Sequence, residues 1–138
     1  MAQPAICNKG RQVRDYPLDG AATFVEGAAV LLSGGEVEEC GADPAAILGF
    51  ALHDAGALPN ETRVLVALAT AEATFWLQGT ANPALTDIGA KYGIAKHADG
   101  EWVLDKAEAV NTRLSVEDVD LTRNLYEVRV LAANRQLV

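Results

Sequence analysis

Residues 27–40 read GAAVLLSGGEVEEC, and this stretch decides the fold class. Its first half is apolar on both faces, which is typical of a strand that is covered on both sides. The central Ser33-Gly34-Gly35 predicts a hairpin turn, because glycine reaches positive φ without steric cost. The second half alternates Val37 with acidic residues, so one face is solvated. The stretch predicts a tightly turned antiparallel hairpin and shows no constellation of residues that would form a reaction centre.

Further strands are predicted at short intervals, separated by turn residues. They cover residues 23–25, 47–52, 63–69, 73–77, 91–96, 101–105, 112–116 and 125–131. Gly49 indicates a bulge or a close backbone approach, and Asp99-Gly100 is a second hairpin turn signal. Single helical turns are expected over residues 85–89 and after Asp43-Pro44, which reads as a helix cap. The predicted fold is mainly β, a compact β-barrel or sandwich with one or two short helical turns.

The length of 138 residues corresponds to about one domain. We predict a single β domain over residues 21–138, preceded by an extended N-terminal arm over residues 1–20. The arm carries three of the eleven basic residues in a chain whose formal net charge is −8. Such arms either fray or lie on a neighbouring subunit.

A surface that binds a partner is predicted from two features. The arm is locally basic, and the strand over residues 63–69 is apolar on both faces, so each face must be covered. The candidate partner-binding residues are Lys9, Arg11, Arg14, Val64, Val66 and Leu68.

Composition excludes several functional classes. An acidic surface repels phosphate, so nucleic-acid binding is disfavoured. The longest apolar runs are too short to span a membrane, and the N-terminus lacks the basic and apolar regions of a signal peptide. Cys7 and Cys40 lie far apart without metal-binding spacing, so reduced, partly buried thiols are favoured over a structural disulfide. We therefore expect synthesis and folding in the cytoplasm.

No reaction centre is predicted. His53-Asp54 invites a catalytic interpretation, but adjacent residues on a strand point to opposite faces, which argues against a dyad. Cys7, Cys40, His53 and His97 could supply four zinc ligands, yet none are closely paired in sequence as in structural zinc sites. We predict no catalytic residue, no cofactor and no metal.

The order of the predicted elements resembles that of bacteriophage head decoration proteins, also called capsid cement proteins, of the small β-barrel or β-tulip kind. Three pieces carry the resemblance. The first is the hairpin at 27–39 with AILGFA at 46–51. The second is the D-I-G-x-x-Y-G stretch within 86–94. The third is DGEWVLDK at 99–106, which leads to the closing strand at 126–131.

The resemblance implies a virion protein without enzymatic activity, located on the outer capsid surface and made in the host cytoplasm. Its implied partners are the major capsid protein and further copies of itself, as a dimer or trimer. Two alternatives remain open. One is a small-ligand β-barrel with a pocket lined by Phe75, Trp76 and Trp102. The other is a hydrolase that uses His53 or His97.

Overall fold

A computed structural model of the chain describes residues 3–56 and 61–137. Within these ranges the chain forms eleven β-strands and two 3₁₀ turns, the latter at Leu85–Asp87 and Ala132–Asn134. The strands are β1 (Ile6–Lys9), β2 (Val13–Pro17), β3 (Ala29–Ser33), β4 (Glu36–Glu39), β5 (Gly49–Ala51), β6 (Arg63–Leu68), β7 (Thr74–Leu77), β8 (Lys91–Lys96), β9 (Trp102–Asp105), β10 (Leu114–Asp120) and β11 (Leu125–Val130).

The strands form two antiparallel sheets that pack face to face as a sandwich. The six-stranded sheet has the order β1-β7-β11-β10-β8-β9, and the five-stranded sheet has the order β2-β6-β5-β3-β4. A single parallel bridge, Leu18 to Val37, joins the two edges of the five-stranded sheet at one end. The sheet therefore curls but does not close. Of the two predicted architectures, the sandwich is confirmed and the closed barrel is wrong.

The glycine turns lie where the sequence predicts them. In the hairpin β3–β4, Ser33 pairs with Glu36, and Gly34 and Gly35 have φ of 60° and 85°. Positive φ at both central residues is the type I′ geometry, whose twist matches that of the strands. The predicted hairpin β8–β9 is also present, with Gly100 at φ 93°. The helical turn predicted within residues 85–89 is confirmed as the 3₁₀ turn Leu85–Asp87.

The segment interpreted as an arm forms the first two strands. β1 pairs with β7 in the six-stranded sheet, and β2 pairs with β6 in the five-stranded sheet. The chain thus crosses from one sheet to the other between Lys9 and Val13. Gly10, at φ 64°, occupies this crossing, where a Cβ would overlap the backbone of Glu72. Residues 1 and 2 of the predicted arm lie outside the described residues.

Two local predictions are wrong. Asp43-Pro44 does not begin a helical turn, because Asp43 has a φ of +46° and the carbonyls of this loop bond elsewhere. Arg113 donates from Nη2 to the Asp43 carbonyl at 3.1 Å and from Nε to the Pro44 carbonyl at 2.6 Å. The strand predicted over 23–25 is reduced to one bridge between Phe24 and Ala55.

Small and branched apolar side chains fill the space between the sheets. Phe50 and Phe75 meet across it with ring centroids 4.6 Å apart. The close backbone approach predicted at Gly49 is confirmed, since a Cβ there would overlap the carbonyl oxygen of Ala67 on β6. Glycine is required at this position for that reason.

A C-terminal strap, defined here as residues 134–136, ties the two sheets together. It leaves the six-stranded sheet after β11 and pairs with Ile47 beside the five-stranded sheet. The Ile47 N–H donates to the Asn134 carbonyl at 2.7 Å, and the Gln136 N–H donates to the Ile47 carbonyl at 3.0 Å. The Gln136 side chain then bonds both backbone groups of Leu32, donating at 2.8 Å and accepting at 2.7 Å. The Gln136 side-chain amide thus takes the place of a neighbouring strand beside Leu32, because β5 pairs only with Ala29 and Val30 of β3.

We expect Gln136→Ala to lower the free energy of unfolding by about 1–3 kcal/mol, because two partly buried backbone groups of Leu32 lose their partners. Urea unfolding followed by circular dichroism measures this. The control is Gln12→Ala, whose exposed side chain should change stability by less than about 0.5 kcal/mol. Equal effects of the two substitutions would contradict the role assigned to the strap.

Candidate functional site

The three basic residues predicted to bind a partner are exposed. Lys9 Nζ lies 3.8 Å from Glu127 Oε2, with 70% of the lysine side chain accessible. The Arg14 guanidinium lies 5.7 Å from the centre of the Tyr16 ring, within cation–π range. Arg11 lies on the short crossing between β1 and β2. The three side chains therefore place positive charge on the surface around the first two strands.

The three apolar candidates are not on the surface. Val64, Val66 and Leu68 are 1%, 0% and 4% exposed, and they belong to the hydrophobic core. They cannot meet a partner in this conformation, which corrects the prediction for these residues. The reason is geometric: the curled five-stranded sheet turns these alternate side chains of β6 inward. Leu65, which points to the opposite face, is 43% exposed.

An outer patch, defined as Val13, Asp15, Arg63 and Leu65, lies on the exposed face of β2 and β6. Asp15 pairs with Leu65 and Pro17 with Arg63 in the strand register, so these side chains share one face. Val13 and Leu65 are 40% and 43% exposed. Asp15 Oδ2 accepts from Arg63 Nε at 2.9 Å. The patch is an apolar pair beside an ion pair, and sequence reasoning missed it because both strand faces are apolar.

A buried carboxylate, Glu127, lies beneath the first strand. Glu127 is only 3% exposed, although its neighbours on β11 face the core and its own side chain points to the opposite face. Its Oε2 accepts from Thr74 Oγ1 at 2.8 Å and from Asn8 Nδ2 at 2.7 Å. These bonds satisfy the buried charge and fasten β1 to the rest of the sheet. The Glu127 carboxylate therefore has a structural role, because its hydrogen bonds are made with side chains of the same chain.

A second buried carboxylate, Asp87, explains the D-I-G-x-x-Y-G stretch. It accepts from the Ala84 N–H at 2.8 Å, from the Tyr92 hydroxyl at 2.8 Å and from Lys106 Nζ at 2.9 Å. Burial acts to raise its pKa, but the bonds from Ala84, Lys106 and Tyr92 outweigh burial and hold the pKa of Asp87 below its ordinary value. The motif closes a 3₁₀ turn onto β8, and its carboxylate and its tyrosine hydroxyl bond each other.

We expect Asp87→Asn to lower the free energy of unfolding at pH 7 by about 2 kcal/mol, because the charged acceptor of three donors is lost. A pKa lowered by folding stabilises the protein above the unfolded-state value of about 3.9, and this stabilisation is lost as pH falls through the folded-state pKa. The difference in the free energy of unfolding between the variant and the wild type should therefore become smaller below about pH 4. Urea unfolding between pH 2.5 and 7 measures it, with exposed Asp118→Asn as the control.

A third acidic site surrounds Glu101, between the β8–β9 hairpin and the loops before β3 and after β5. Its Oε2 is buried and has no hydrogen-bond partner among the residues that the structure describes. Burial raises the pKa of Glu101, and the nearby charges of Asp99, Glu26 and Asp54 raise it further. The surroundings of Glu101 thus disfavour the charged form of its carboxyl group.

We expect Glu101→Gln to be more stable than the wild type at pH 7. A pKa raised by folding means that ionised Glu101 lowers the free energy of unfolding at neutral pH. This penalty is relieved as pH falls through the folded-state pKa and is absent below the unfolded-state value of about 4.3. The advantage of the variant should accordingly vanish near pH 4, as measured by urea unfolding. Exposed Glu36→Gln serves as the control and should show no such trend.

A cleft of about 380 Å³ lies between the loop after β4 and the β8–β9 hairpin. Ile94, Ala95 and Trp102 line its apolar side, and its polar side is formed by Glu39, Asp43, Lys96 and Asp105. Glu39 is fully engaged, since Oε1 accepts from Lys96 Nζ at 2.8 Å and Oε2 accepts from Trp102 Nε1 at 2.9 Å. We call this feature the acidic cleft.

Both cysteines are free thiols, as the sequence favours. Burial, with the charges of Glu39 and Glu38, raises the pKa of Cys40 to about 12. Burial also raises the pKa of Cys7, against the opposing effect of Arg11. A nucleophile must be the thiolate, so neither cysteine is activated at neutral pH.

The residues named for the two alternative functions are dispersed. Trp102 lines the acidic cleft, whereas Phe75 packs on Phe50 and Trp76 lies 5.9 Å from the Arg123 guanidinium. His53 Nε2 accepts from the Leu65 N–H at 3.1 Å, and its Nδ1 lies 3.0 Å from the Asp54 carbonyl oxygen.

His97 Nδ1 lies 2.9 Å from Asp99 Oδ1 at the tip of the β8–β9 hairpin. This is a contact within one turn. Neither histidine is oriented toward a nucleophile by the contacts described here, since His53 bonds backbone groups and His97 bonds the turn that carries it.

Residues 3–56 and 61–137 contain no group of three or more histidine, cysteine, aspartate or glutamate side chains placed to hold a metal ion. In the same part of the chain, no helix has the length and apolarity needed to cross a membrane. No protein-family model matches the sequence, and a search among curated proteins finds no match.

Proposed function

We propose that the chain is a structural virion protein that binds the outer surface of an assembled phage capsid. It stabilises the capsid by bridging neighbouring subunits of the major capsid protein. The proposal combines the order of the sequence motifs that resemble decoration proteins with one structural observation, the outer patch on β2 and β6. No catalytic step is part of the proposed function.

The outer patch has the composition of a small binding surface. Val13 and Leu65 supply its apolar area, and both are about two-fifths exposed. Asp15, which lies opposite Leu65, and Arg63 add an exposed ion pair with about half of each side chain accessible. Protein interfaces likewise combine apolar area with polar groups. The patch lies on regular strands, so its shape is set before any partner arrives, which reduces the entropic cost of binding.

A rigid fold would suit a protein whose function is to bridge two capsid subunits. Glu127 and Asp87 are buried carboxylates whose bonds hold separate strands and turns in place. A specific contact typically buries roughly 800 Å² on each partner. If one copy spans two capsid subunits, both contacts must break before the subunits separate, and repetition over the shell multiplies this effect.

We expect the protein to co-sediment with shells of the phage that encodes it and to raise the temperature at which the filled particle releases its genome. Leu65→Ser should weaken shell binding about tenfold, because an interface would lose one apolar side chain. The matched control is Leu121→Ser, a 50% exposed leucine in the β10–β11 turn, which should bind as the wild type does.

Two results would contradict the proposal. The first is equal release temperatures with and without the protein, together with no co-sedimentation. The second is turnover of a substrate by the purified chain. Equal binding by both leucine variants would show instead that the shell contacts another surface.

A further inference from the structure

The charges of this chain are divided unevenly along its length. Residues 1–20 contain Lys9, Arg11 and Arg14 against two acidic residues, which leaves a net charge of +1. Residues 21–138 carry the remaining eight basic and seventeen acidic residues, a net charge of −9. A basic segment on an acidic protein is a surface that attracts the acidic surface of another copy.

The basic segment projects at one edge of the sandwich. β1 is the first strand of the six-stranded sheet, and β2 is the first strand of the five-stranded sheet. Arg11 lies on the crossing that joins them, next to Gly10, and it is exposed. We call Arg11 with its neighbours Lys9 and Arg14 the basic edge.

The acidic cleft lies at the other edge of both sheets. Glu39 ends β4, the last strand of the five-stranded sheet, and Trp102 and Asp105 bound β9, the last strand of the six-stranded sheet. Although Leu18 bridges to Val37, Arg11 lies before the opposite end of β2. The topology therefore places the basic edge away from the acidic cleft within one copy.

The acidic cleft retains negative charge after its internal pairs are counted. Lys96 neutralises Glu39. Asp43 and Asp105 form no ion pair with the described residues, and Asp105 Oδ1 only accepts the Ala107 N–H at 3.1 Å. Arg113 donates to the carbonyls of Asp43 and Pro44 at the rim, so its positive charge offsets part of the negative charge of the cleft.

The apolar side of the cleft offers a contact surface in addition to the negative charge. Ile94, Ala95 and the Trp102 indole lie beside the two free carboxylates. This combination fits a side chain with an apolar stem and a cationic head, since arginine and lysine bury their stems while their charge meets a carboxylate.

We propose that the occupant of the acidic cleft is the basic edge of a second copy, with the Arg11 side chain inserted between Asp43 and Asp105. Each copy then offers its basic edge to one neighbour and its acidic cleft to another. Such a head-to-tail contact closes into a ring or continues as a filament, according to the angle between copies. The contact depends on this chain alone and does not rest on shell binding.

The test is mass in solution, measured by light scattering during size exclusion, with no shell present. We expect the wild type at low salt to exceed the monomer mass of 14.5 kDa and to return to it at about 1 M salt, where charges are screened beyond roughly 3 Å. Arg11→Glu should be monomeric at both salt concentrations. Lys91→Glu, the same charge change at an exposed residue of β8, should assemble as the wild type does.

Neutralising the cleft separates this contact from general repulsion. Asp43→Asn/Asp105→Asn reduces the net negative charge, so repulsion alone predicts more association, whereas the proposed contact predicts dissociation. Asparagine tolerates the positive φ of residue 43 and still accepts the Ala107 N–H, so the variant should fold. Circular dichroism verifies that it does.

Complementation gives the sharpest result. Arg11→Glu and Asp43→Asn/Asp105→Lys should each be monomeric alone, and the second keeps asparagine at the positive φ of residue 43. Their mixture should form assemblies that contain both variants, because the reversed edge of one fits the reversed cleft of the other, and the unaltered edge and cleft also fit. A monomeric wild type at low salt would overturn the proposal, as would an assembled Asn double variant or equal dissociation by Lys91→Glu. None of these outcomes bears on shell binding, so the two proposals can fail separately.

Discussion

The hydrogen bonds of the C-terminal strap help to fix how the two sheets lie against each other. The last strand of the six-stranded sheet ends at Val130, and the next residues cross to Ile47 and Leu32 of the other sheet. Apolar packing between sheets is non-directional and would allow them to slide. The strap removes this freedom, because backbone bonds at Ile47 and amide bonds at Leu32 are satisfied in one register only.

The buried polar groups follow the same logic. Glu127 and Asp87 are the kind of isolated carboxylates that attract a catalytic interpretation. Each is surrounded by donors from its own fold, so each fixes a strand or a turn. The clefts and patches that remain at the surface offer shape and charge, and these are the means by which one protein recognises another.

Elements set by local signals could be predicted from the sequence, and elements set by distant partners could not. Gly34-Gly35 and Asp99-Gly100 specify their turns alone. Asp43-Pro44 failed as a helix start because its carbonyls bond Arg113, about 70 residues later in the chain. The site was harder still: β6 is apolar on both faces, and only the neighbouring strands decide that Leu65 faces out while Val66 faces in.

Gly49 restricts what this chain can become. It lies on β5, the middle strand of the five-stranded sheet, against the backbone of Ala67 with no room for a methyl group. The obstruction is main chain, so no rearrangement of side chains elsewhere compensates for it. Exposed positions can accept many replacements, but a side chain at position 49 would collide with main chain. Sequence variation can alter the exposed faces of the protein, but position 49, where β5 runs beside β6, must remain glycine.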